Sequence, residues 1–435
     1  MKRFFNLNGK FLFILNLMTI VSILIGCKGE ESSIPVITIN SPHENQTFHI
    51  GDTIKVSATV EDQRKIENIK LALTNFDFQP VQNAYFIYPT SNIYLVDTSI
   101  TIYDQNLPSG YYYLQITADN GESSKNKFQK IFIVGIQKEF EKIIAITRVN
   151  SEMINVLEFD RAGNGQFVLE IAGDFTASEI DSKERQLYLA GKEKMNLQAY
   201  DIDEGQLVWE LAEQPPIPYH AIDNLYFDEF LFSSFYFNYC KGYRADGSEI
   251  FSTTISDPEL PSRIYRFDNL ILADLQSKSG GITYIATYYL ASGVEKQRRT
   301  TNFKVVDFFT AGPIEILISA NSASNGILKM YNPYLNEITD IHQLPGQIIS
   351  GVRISEDEFL LGFSDKIIRY DETINSFSDI EIGIKPYRLR YENIAKELYI
   401  AGASEIQIFS YPEMEYQASV SISDTLLNIH LLYNK

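Results

Sequence analysis

A short motif recurs along the second part of this chain: an apolar stretch ends in an aromatic residue, and a turn-forming sequence follows. Consecutive copies lie 39 to 46 residues apart, by subtraction of residue numbers. A repeat of this length indicates structural units that each bury their apolar face only against their neighbours. The aromatic residues of the seven copies are Phe159, Tyr200, Tyr243, Tyr289, Tyr331, Tyr370 and Phe409.

Each copy also has a strongly apolar run upstream of its aromatic residue. These runs are IIAIT from 143, QLYLA from 186, FLFSS from 230, LILAD from 270, EILIS from 315, FLLGF from 359 and ELYIA from 397. Every unit then reads as strand, strand, hairpin turn and strand, with a fourth strand leading into the next unit. Seven units of four antiparallel strands predict a seven-bladed β-propeller over residues 141–435.

The two ends of this region complement each other. The chain enters at what should be a second strand, Lys142–Thr147, and leaves with a lone strand, Leu426–Asn434. We expect the last strand to complete the first blade and close the ring, which leaves no open sheet edge.

The segment Asn196–Glu210 (NLQAYDIDEGQLVWE) resembles the repeat of quinoprotein-type propellers, in which a tryptophan docks against the next blade. Trp209 is the only tryptophan, so the other six units depart from that pattern. The resemblance therefore implies the fold and not a pyrroloquinoline quinone, and no cofactor is expected.

Residues 34–137 show a different pattern, with short runs of alternating apolar and polar residues such as Gly51–Val60. Six or seven such runs are typical of a β-sandwich. The segment Pro108–Asp119 resembles the late strands of immunoglobulin-like and fibronectin type III modules, in which a tyrosine braces a corner. The predicted fold is all-β: an immunoglobulin-like β-sandwich followed by a seven-bladed β-propeller. The resemblance implies a spacer role for the sandwich, with a binding role as the alternative.

The first residues read as a lipoprotein signal peptide, residues 1–26, with basic residues before an apolar core of about fifteen residues. Leu24–Cys27 resembles the lipobox of bacterial lipoproteins, which implies lipidation of Cys27; the alternative is an uncleaved membrane anchor. Residues 27–33 read as an acidic linker. Glu30 and Glu31 resemble a tag for export to the outer face of the outer membrane, and the alternative is an ordinary linker.

The charge balance restricts the classes of partner that the chain can bind. The chain carries 37 basic and 56 acidic side chains, and removal of residues 1–26 takes away three bases and no acid. This balance argues against a nucleic-acid partner. Lipidation of Cys27 would leave Cys240 as the only other cysteine, so the fold cannot depend on a disulfide.

Propeller ligands usually lie at a mouth of the central channel. Alignment of the innermost strands gathers several bases in two columns of alternate residues, which face the same side. We predict a positive mouth for an anionic ligand, because arginine suits carboxylates and phosphates. The alternative is that each base pairs with an acid such as Glu179, Asp223, Asp307 or Glu392. The predicted ligand-binding residues are His220, Arg263, Lys304, Arg353, Arg388 and Arg390.

No metal site or catalytic set is predicted. The five histidines have no ligand spacing, and a hairpin turn explains Asp201, Asp203 and Gly205 better than a calcium loop does. No nucleophile elbow or phosphate-binding loop is present. The aromatic run Tyr226–Tyr239 is expected to be mostly blade core, with a sugar-stacking or partner-binding patch as the alternative.

These features predict a lipid-anchored binding or scaffold protein of the outer membrane, at the cell surface, whose propeller meets a protein, a glycan or another anionic ligand. Two alternatives stay open: an extracellular propeller enzyme acting on glycan or peptide, and a periplasm-facing scaffold for envelope assembly. A buried carboxylate cluster at the channel mouth would favour the enzyme.

Overall fold

The computed structural model describes residues 33–191, 194–211, 222–235, 239–256, 259–278 and 280–435. In these ranges the protein is all-β. The described residues include no helix of the length and apolarity needed to cross a membrane. The chain divides into two compact units between Gln137 and Lys138.

The first unit is an immunoglobulin-like domain of two sheets. One sheet has three strands in the order β1-β3-β6, and the other has five in the order β2-β8-β7-β4-β5. The strands are β1 (Val36–Ser41), β2 (Gln46–His49), β3 (Thr53–Glu61), β4 (Asn68–Thr74), β5 (Tyr85–Ile87), β6 (Ile93–Thr101), β7 (Gly110–Asp119) and β8 (Ser124–Val134).

The core of this domain follows from alternation along its strands. In β7 the side chains of Tyr112, Leu114 and Ile116 point inward and are buried, while Tyr111 and Tyr113 point outward. The Tyr112 hydroxyl donates to the Pro108 carbonyl at 2.9 Å, which is the predicted tyrosine brace at the corner. Buried aliphatic side chains of both sheets complete the core.

The second unit consists of four-stranded antiparallel sheets, and the described residues form seven of them. In chain order their strands are β9 (Phe140–Asn150), β10 (Met153–Phe159), β11 (Gly165–Ala172); β12 (Ala177–Asp181), β13 (Gln186–Ala190), β14 (Gln198–Asp201), β15 (Leu207–Glu210); β16 (Ile222–Asp228), β17 (Phe230–Phe235), β18 (Tyr239–Tyr243), β19 (Glu249–Thr254); β20 (Glu259–Phe267), β21 (Leu270–Ser277), β22 (Thr283–Tyr289), β23 (Glu295–Thr301); β24 (Lys304–Thr310), β25 (Ile316–Ser322), β26 (Asn325–Asn332), β27 (Glu337–Pro345); β28 (Ser350–Arg353), β29 (Glu358–Gly362), β30 (Lys366–Asp371), β31 (Ser376–Glu381); β32 (Arg388–Glu392), β33 (Glu397–Ala401), β34 (Glu405–Ser410), β35 (Tyr416–Ser421); and β36 (Thr425–Tyr433).

These sheets form a closed β-propeller. The first strand of each sheet contacts the first strand of the next, in the order β12, β16, β20, β24, β28, β32, β36 and back to β12. The last strand, β36, pairs antiparallel with β9 and becomes the innermost strand of that sheet. The predicted closure of the ring by the C-terminal strand is thereby confirmed.

The second strand of each sheet carries the apolar run that the sequence repeats. Leu187, Leu189, Phe359 and Leu361 are at most 1% exposed, because other sheets cover both faces of these strands. Trp209 lies on β15 and reaches the following sheet. Its indole Nε1 donates to the Ala245 carbonyl at 2.7 Å, as docking of this tryptophan on the next blade predicts.

Candidate functional site

Irregularities in the innermost strands shape the centre of the propeller. Four of these strands (β16, β20, β24 and β36) contain a register shift at the same place relative to their second strands. A bulge adds one unpaired residue, so the side chains that follow it point in the other direction, and bulges often re-aim side chains at functional sites. The residues directly after the four shifts are all polar: Asn224, Arg263, Asp307 and Asn428.

Each of these four side chains bonds to the next innermost strand. The Asn224 Oδ1 accepts from the Ile264 amide at 3.4 Å, and the Arg263 Nε donates to the Val306 carbonyl at 3.1 Å. Asp307 accepts from the Gly351 amide at 2.8 Å. The Asn428 Nδ2 donates to the Ser178 hydroxyl at 2.9 Å. The bulges therefore build a polar belt around the channel.

The belt surrounds a cavity of about 250 Å³. Its polar lining includes the belt residues and, from the early parts of β12 and β32, Glu179, Arg388 and Arg390. Aromatic side chains contribute the rest of the wall. They come from the segment before β12 and from β16, β20 and β24, and are Phe175, Tyr226, Tyr265, Phe308 and Phe309.

Three arginines converge on this cavity: Arg263, Arg388 and Arg390. Their only hydrogen bonds within the described part of the chain are to backbone carbonyls, from Arg263 and Arg390. Arg388 makes neither a hydrogen bond nor an ion pair with any described residue, and its Nε is buried without a partner. Burial, with repulsion from Arg390, lowers the pKa of Arg388. This group of cations is thus costly to the fold.

Two carboxyl groups line the same cavity and are partly neutralised by burial. Burial raises the pKa of Glu179 to about 7, although Arg390 and Arg388 favour its charged form. Burial also raises the pKa of Asp307, against the attraction of Arg263. Near neutral pH the three arginines therefore outweigh the two carboxyl groups, and protonation of Glu179 increases the excess.

A buried histidine, His430, lies behind the cavity wall at the ring closure, where it contacts two lining residues. The Ser178 Oγ and the His430 Nε2 are 2.8 Å apart, and Asn428 contacts both side chains. Burial, with Arg390 and Arg388 nearby, lowers the pKa of His430 well below its usual value, so the ring stays neutral. This cluster joins β36 to β12 at the closure of the ring.

The structure brings together three of the six predicted ligand-binding residues. Lys304 is exposed at the start of β24 and lies three residues before Asp307, the residue of that strand that lines the cavity. Arg353 ends β28, donates from Nε to the Ser355 carbonyl at 2.7 Å and lines a different depression, with Tyr391 and Tyr433. His220 and Cys27 lie outside the described residues.

The residues predicted to bind a ligand and the residues that line the cavity differ for a physical reason. The alignment by sequence assumes regular alternation and a common register, whereas β24, which carries Lys304, contains a bulge. The strand of Arg353, β28, is regular, so there the assumed register itself is wrong. The sequence alignment places Glu179 and Tyr265 in a channel-facing column without assigning them a binding role, and it misses Asn224 and Tyr226 as lining residues. Glu392 serves elsewhere: it is buried and pairs with Arg161 at 3.3 Å. Strand patterns alone carry no signal for a bulge.

Part of the aromatic run and Cys240 lie in the propeller core. From the run Tyr226–Tyr239, Leu231, Phe232 and Phe235 are buried core. Cys240 is buried and unpaired, and burial raises the pKa of its thiol. Within the described residues, no group of three metal-ligating side chains is close enough to hold an ion.

Comparisons with known proteins agree with the two architectures. A family model for a bacterial Ig domain matches residues 35–116. A search of curated proteins finds no match. Among solved structures, the chain is similar to the WD40 β-propeller domain of Doa1, at 10% identity and a TM-score of 0.48, covering 60% of this chain and 86% of that one.

Two bacterial structures are also similar. A quinoprotein alcohol dehydrogenase-like protein from Bacteroides thetaiotaomicron shares 10% identity, with a TM-score of 0.48, over 92% of this chain and 99% of that one. Apo AztD from Citrobacter koseri shares 11% identity, with a TM-score of 0.47, over 67% of this chain and 98% of that one. The family match identifies a bacterial Ig-like domain in the first unit, whereas the propeller of the second unit follows from its own ring of four-stranded sheets. A fold does not by itself specify a function.

Proposed function

We propose that this chain is a lipid-anchored binding protein of the bacterial outer membrane, whose seven-bladed propeller holds an anionic group in the channel cavity. The observation that carries the proposal is the environment of Arg388. A guanidinium kept in a polar cavity, beside two further arginines and without a partner among the described residues, lowers the stability of the fold. A bound carboxylate, sulfate or phosphate would accept its free N–H groups and offset the repulsion.

Sulfate is a suitable probe because it does not titrate near neutral pH. Titration of the full-length protein with sodium sulfate, against sodium chloride at equal ionic strength, should give saturable binding by calorimetry. Arg388→Met should weaken binding by about tenfold, the scale of one charge-assisted hydrogen bond. Lys304→Met and Arg353→Met are matched controls, because both bases lie outside this cavity.

Equal weakening by all three substitutions would contradict the proposal, since it would reveal a general charge effect. Absence of saturable binding of sulfate, and of galacturonate as a carboxylate probe, would also contradict it.

A second candidate is an enzyme acting on a glycan, and the carboxyl groups in the cavity favour it. Glu179, with a pKa of about 7, could hold the proton that a general acid needs. Glu179→Gln separates the two functions. It should abolish turnover of a glycan substrate in an enzyme, whereas in a binding protein it removes negative charge and strengthens anion binding.

The anchor and the compartment are part of the same proposal. Lipid on Cys27 would hold the protein at the membrane, and the linker with Glu30 and Glu31 would direct it to the outer face. Protease treatment of intact cells should remove the wild-type protein and spare a variant with both glutamates changed to alanine. Protection of both would instead favour the periplasm-facing scaffold.

A further inference from the structure

The outer side of the five-stranded sheet in the Ig-like domain carries a concentration of aromatic rings. We call this set the aromatic face: Phe76, Phe78, Tyr111, Tyr113, Phe128 and Phe132. Phe76 and Phe78 lie in the loop between β4 and β5 and are among the most exposed aromatic side chains, at 64% and 53%. Contiguous apolar surface of this kind usually marks an interaction site.

The rings form two groups on the same side of the sheet, one of four rings and one of two. Phe78 stacks on Tyr113 with ring centroids 5.3 Å apart, and Phe128 lies 4.8 Å from Phe78. Tyr111 and Phe132 are a cross-strand pair at 5.1 Å. Because the face belongs to the sheet and to one loop fixed on it, the rings are held in place before any ligand arrives, which lowers the entropic cost of binding.

The loop that carries Phe78 is strained. Phe78 has φ of 61°, a left-handed conformation that is rare for a bulky residue. The Asn75 side chain holds the loop by accepting from the Asp77 and Gln79 amides at 3.0 and 2.8 Å. Asparagine or glycine would adopt this backbone conformation at lower cost, so what the phenylalanine adds is its ring, which packs on Tyr113 and Phe128 and remains half exposed.

Polar groups lie between and beside the rings. Gln115 is paired across strands with Phe128, and Thr117 with Asn126. The Nζ of Lys130 lies 3.7 Å from the Tyr111 ring centroid, and Lys70 is paired with Thr117 on the same side of the sheet. The face thus combines rings, amide and hydroxyl groups, and two cations, with one carboxylate in the loop, Asp77, and another at the end of β7, Asp119. Repulsion from the acids elsewhere on the chain is screened beyond roughly 8 Å at physiological salt.

We propose that the aromatic face binds an anionic polysaccharide. The C–H faces of sugar rings would stack on Phe78, Tyr113 and Phe128, and sugar hydroxyls would bond to Gln115 and Asn126. Carboxylate groups along the chain would reach Lys130 and Lys70. The rings are inclined to one another, by 26° for Phe78 and Tyr113 and by 78° for Tyr113 and Phe128, so successive sugar units of an extended chain would contact rings of different orientation, and the lysines would select the acidic form. This site is separate from the channel cavity and does not rest on the function proposed for it.

Affinity electrophoresis of the full-length protein tests this proposal, with polygalacturonate, alginate or hyaluronate cast in the gel. At least one of the three should retard the wild-type protein, and Tyr113→Ala and Phe128→Ala should each weaken retardation by roughly three- to tenfold. Methyl-esterified galacturonan is the matched neutral polymer and should retard the protein less than polygalacturonate does. Lys130→Ala should reduce that difference.

Phe78→Asn is the decisive variant because it separates binding from folding. Asparagine removes the ring and suits the left-handed conformation, so the melting temperature should stay the same or rise while retardation falls. Phe167→Ala, an exposed ring of the propeller, and Lys304→Met, an exposed base outside the channel cavity, should both leave retardation unchanged.

Three outcomes would overturn the proposal. One is the absence of retardation by all three acidic polymers, and another is equal retardation by the esterified polymer. The third is a Phe78→Asn variant that melts lower and is retarded as strongly as the wild type, because the rings would then be structural or would serve a protein partner.

Discussion

The second strand and the innermost strand of each propeller sheet lie side by side but differ in character. Second strands such as β13 (QLYLA) are regular and buried along their length. The innermost strands carry polar side chains, and four of them are bulged. The burial of the second strands therefore specifies the fold. The bulges of the innermost strands interrupt the regular pairing and place polar side chains around a cavity.

The largest expected effect concerns the one innermost strand that also closes the ring. Deletion of residues 426–435 removes nearly all of β36 and exposes the edge of β9. We expect loss of the soluble monomer, because an open sheet edge pairs with other chains. Light scattering after size-exclusion chromatography measures this. A shortened chain that stays monomeric and folded would show that ring closure is dispensable, and deletion of Lys435 alone is the control.

A substitution in a second strand should also be severe. Phe359 is fully buried, and Phe359→Ala should lower the free energy of unfolding by about 3–5 kcal/mol. Phe167→Ala removes the same side chain from an exposed position of β11 and should change the free energy of unfolding by less than about 0.5 kcal/mol. Urea unfolding followed by circular dichroism compares the two. Similar losses would mean that the second strands are not the basis of the fold.

The same contrast explains what the sequence could predict. The seven apolar runs, the aromatic residues and the lone C-terminal strand placed every second strand and the ring closure, because burial on both faces leaves a strong pattern. The tyrosine brace of the Ig-like domain follows instead from the resemblance of Pro108–Asp119 to immunoglobulin-like modules, and Tyr112 makes it by its bond to Pro108.

The cavity was predicted only in part. Arg263, Arg388 and Arg390 were recognised, whereas Lys304 and Arg353 lie elsewhere and Tyr226 was missed. The strands of Lys304 and Tyr226 are bulged, and a bulge depends on pairing between strands and leaves no mark in one strand's own pattern. The strand of Arg353 is regular, and there the register assumed from sequence is wrong. The short strands β2 and β5 were also missed, because three or four residues carry too little alternation.

A smaller effect should follow from Glu179. Its carboxyl group has a raised pKa of about 7, so it gains a proton as pH falls through that value and its negative charge disappears from the cavity. Sulfate binding should therefore strengthen by up to about tenfold between pH 8 and pH 6. Glu179→Gln should bind with little dependence on pH, at the strength that the wild type reaches at pH 6. A wild-type affinity that is constant over this range would exclude Glu179 as the titrating group.

The most direct test of the central claim is the melting temperature of Arg388→Met without added anion. If the innermost strands lower the stability of the fold to form a binding cavity, removal of this guanidinium, which has no hydrogen-bond partner among the described residues, should raise the free energy of unfolding by about 1 kcal/mol, or the melting temperature by about 2–4 °C. Arg185→Met is the matched control and should melt lower, because Arg185 pairs with Asp203 and Glu141 at 2.7 and 2.8 Å. An Arg388→Met protein that melts lower, as Arg185→Met does, would contradict the account, since Arg388 would then stabilise the fold.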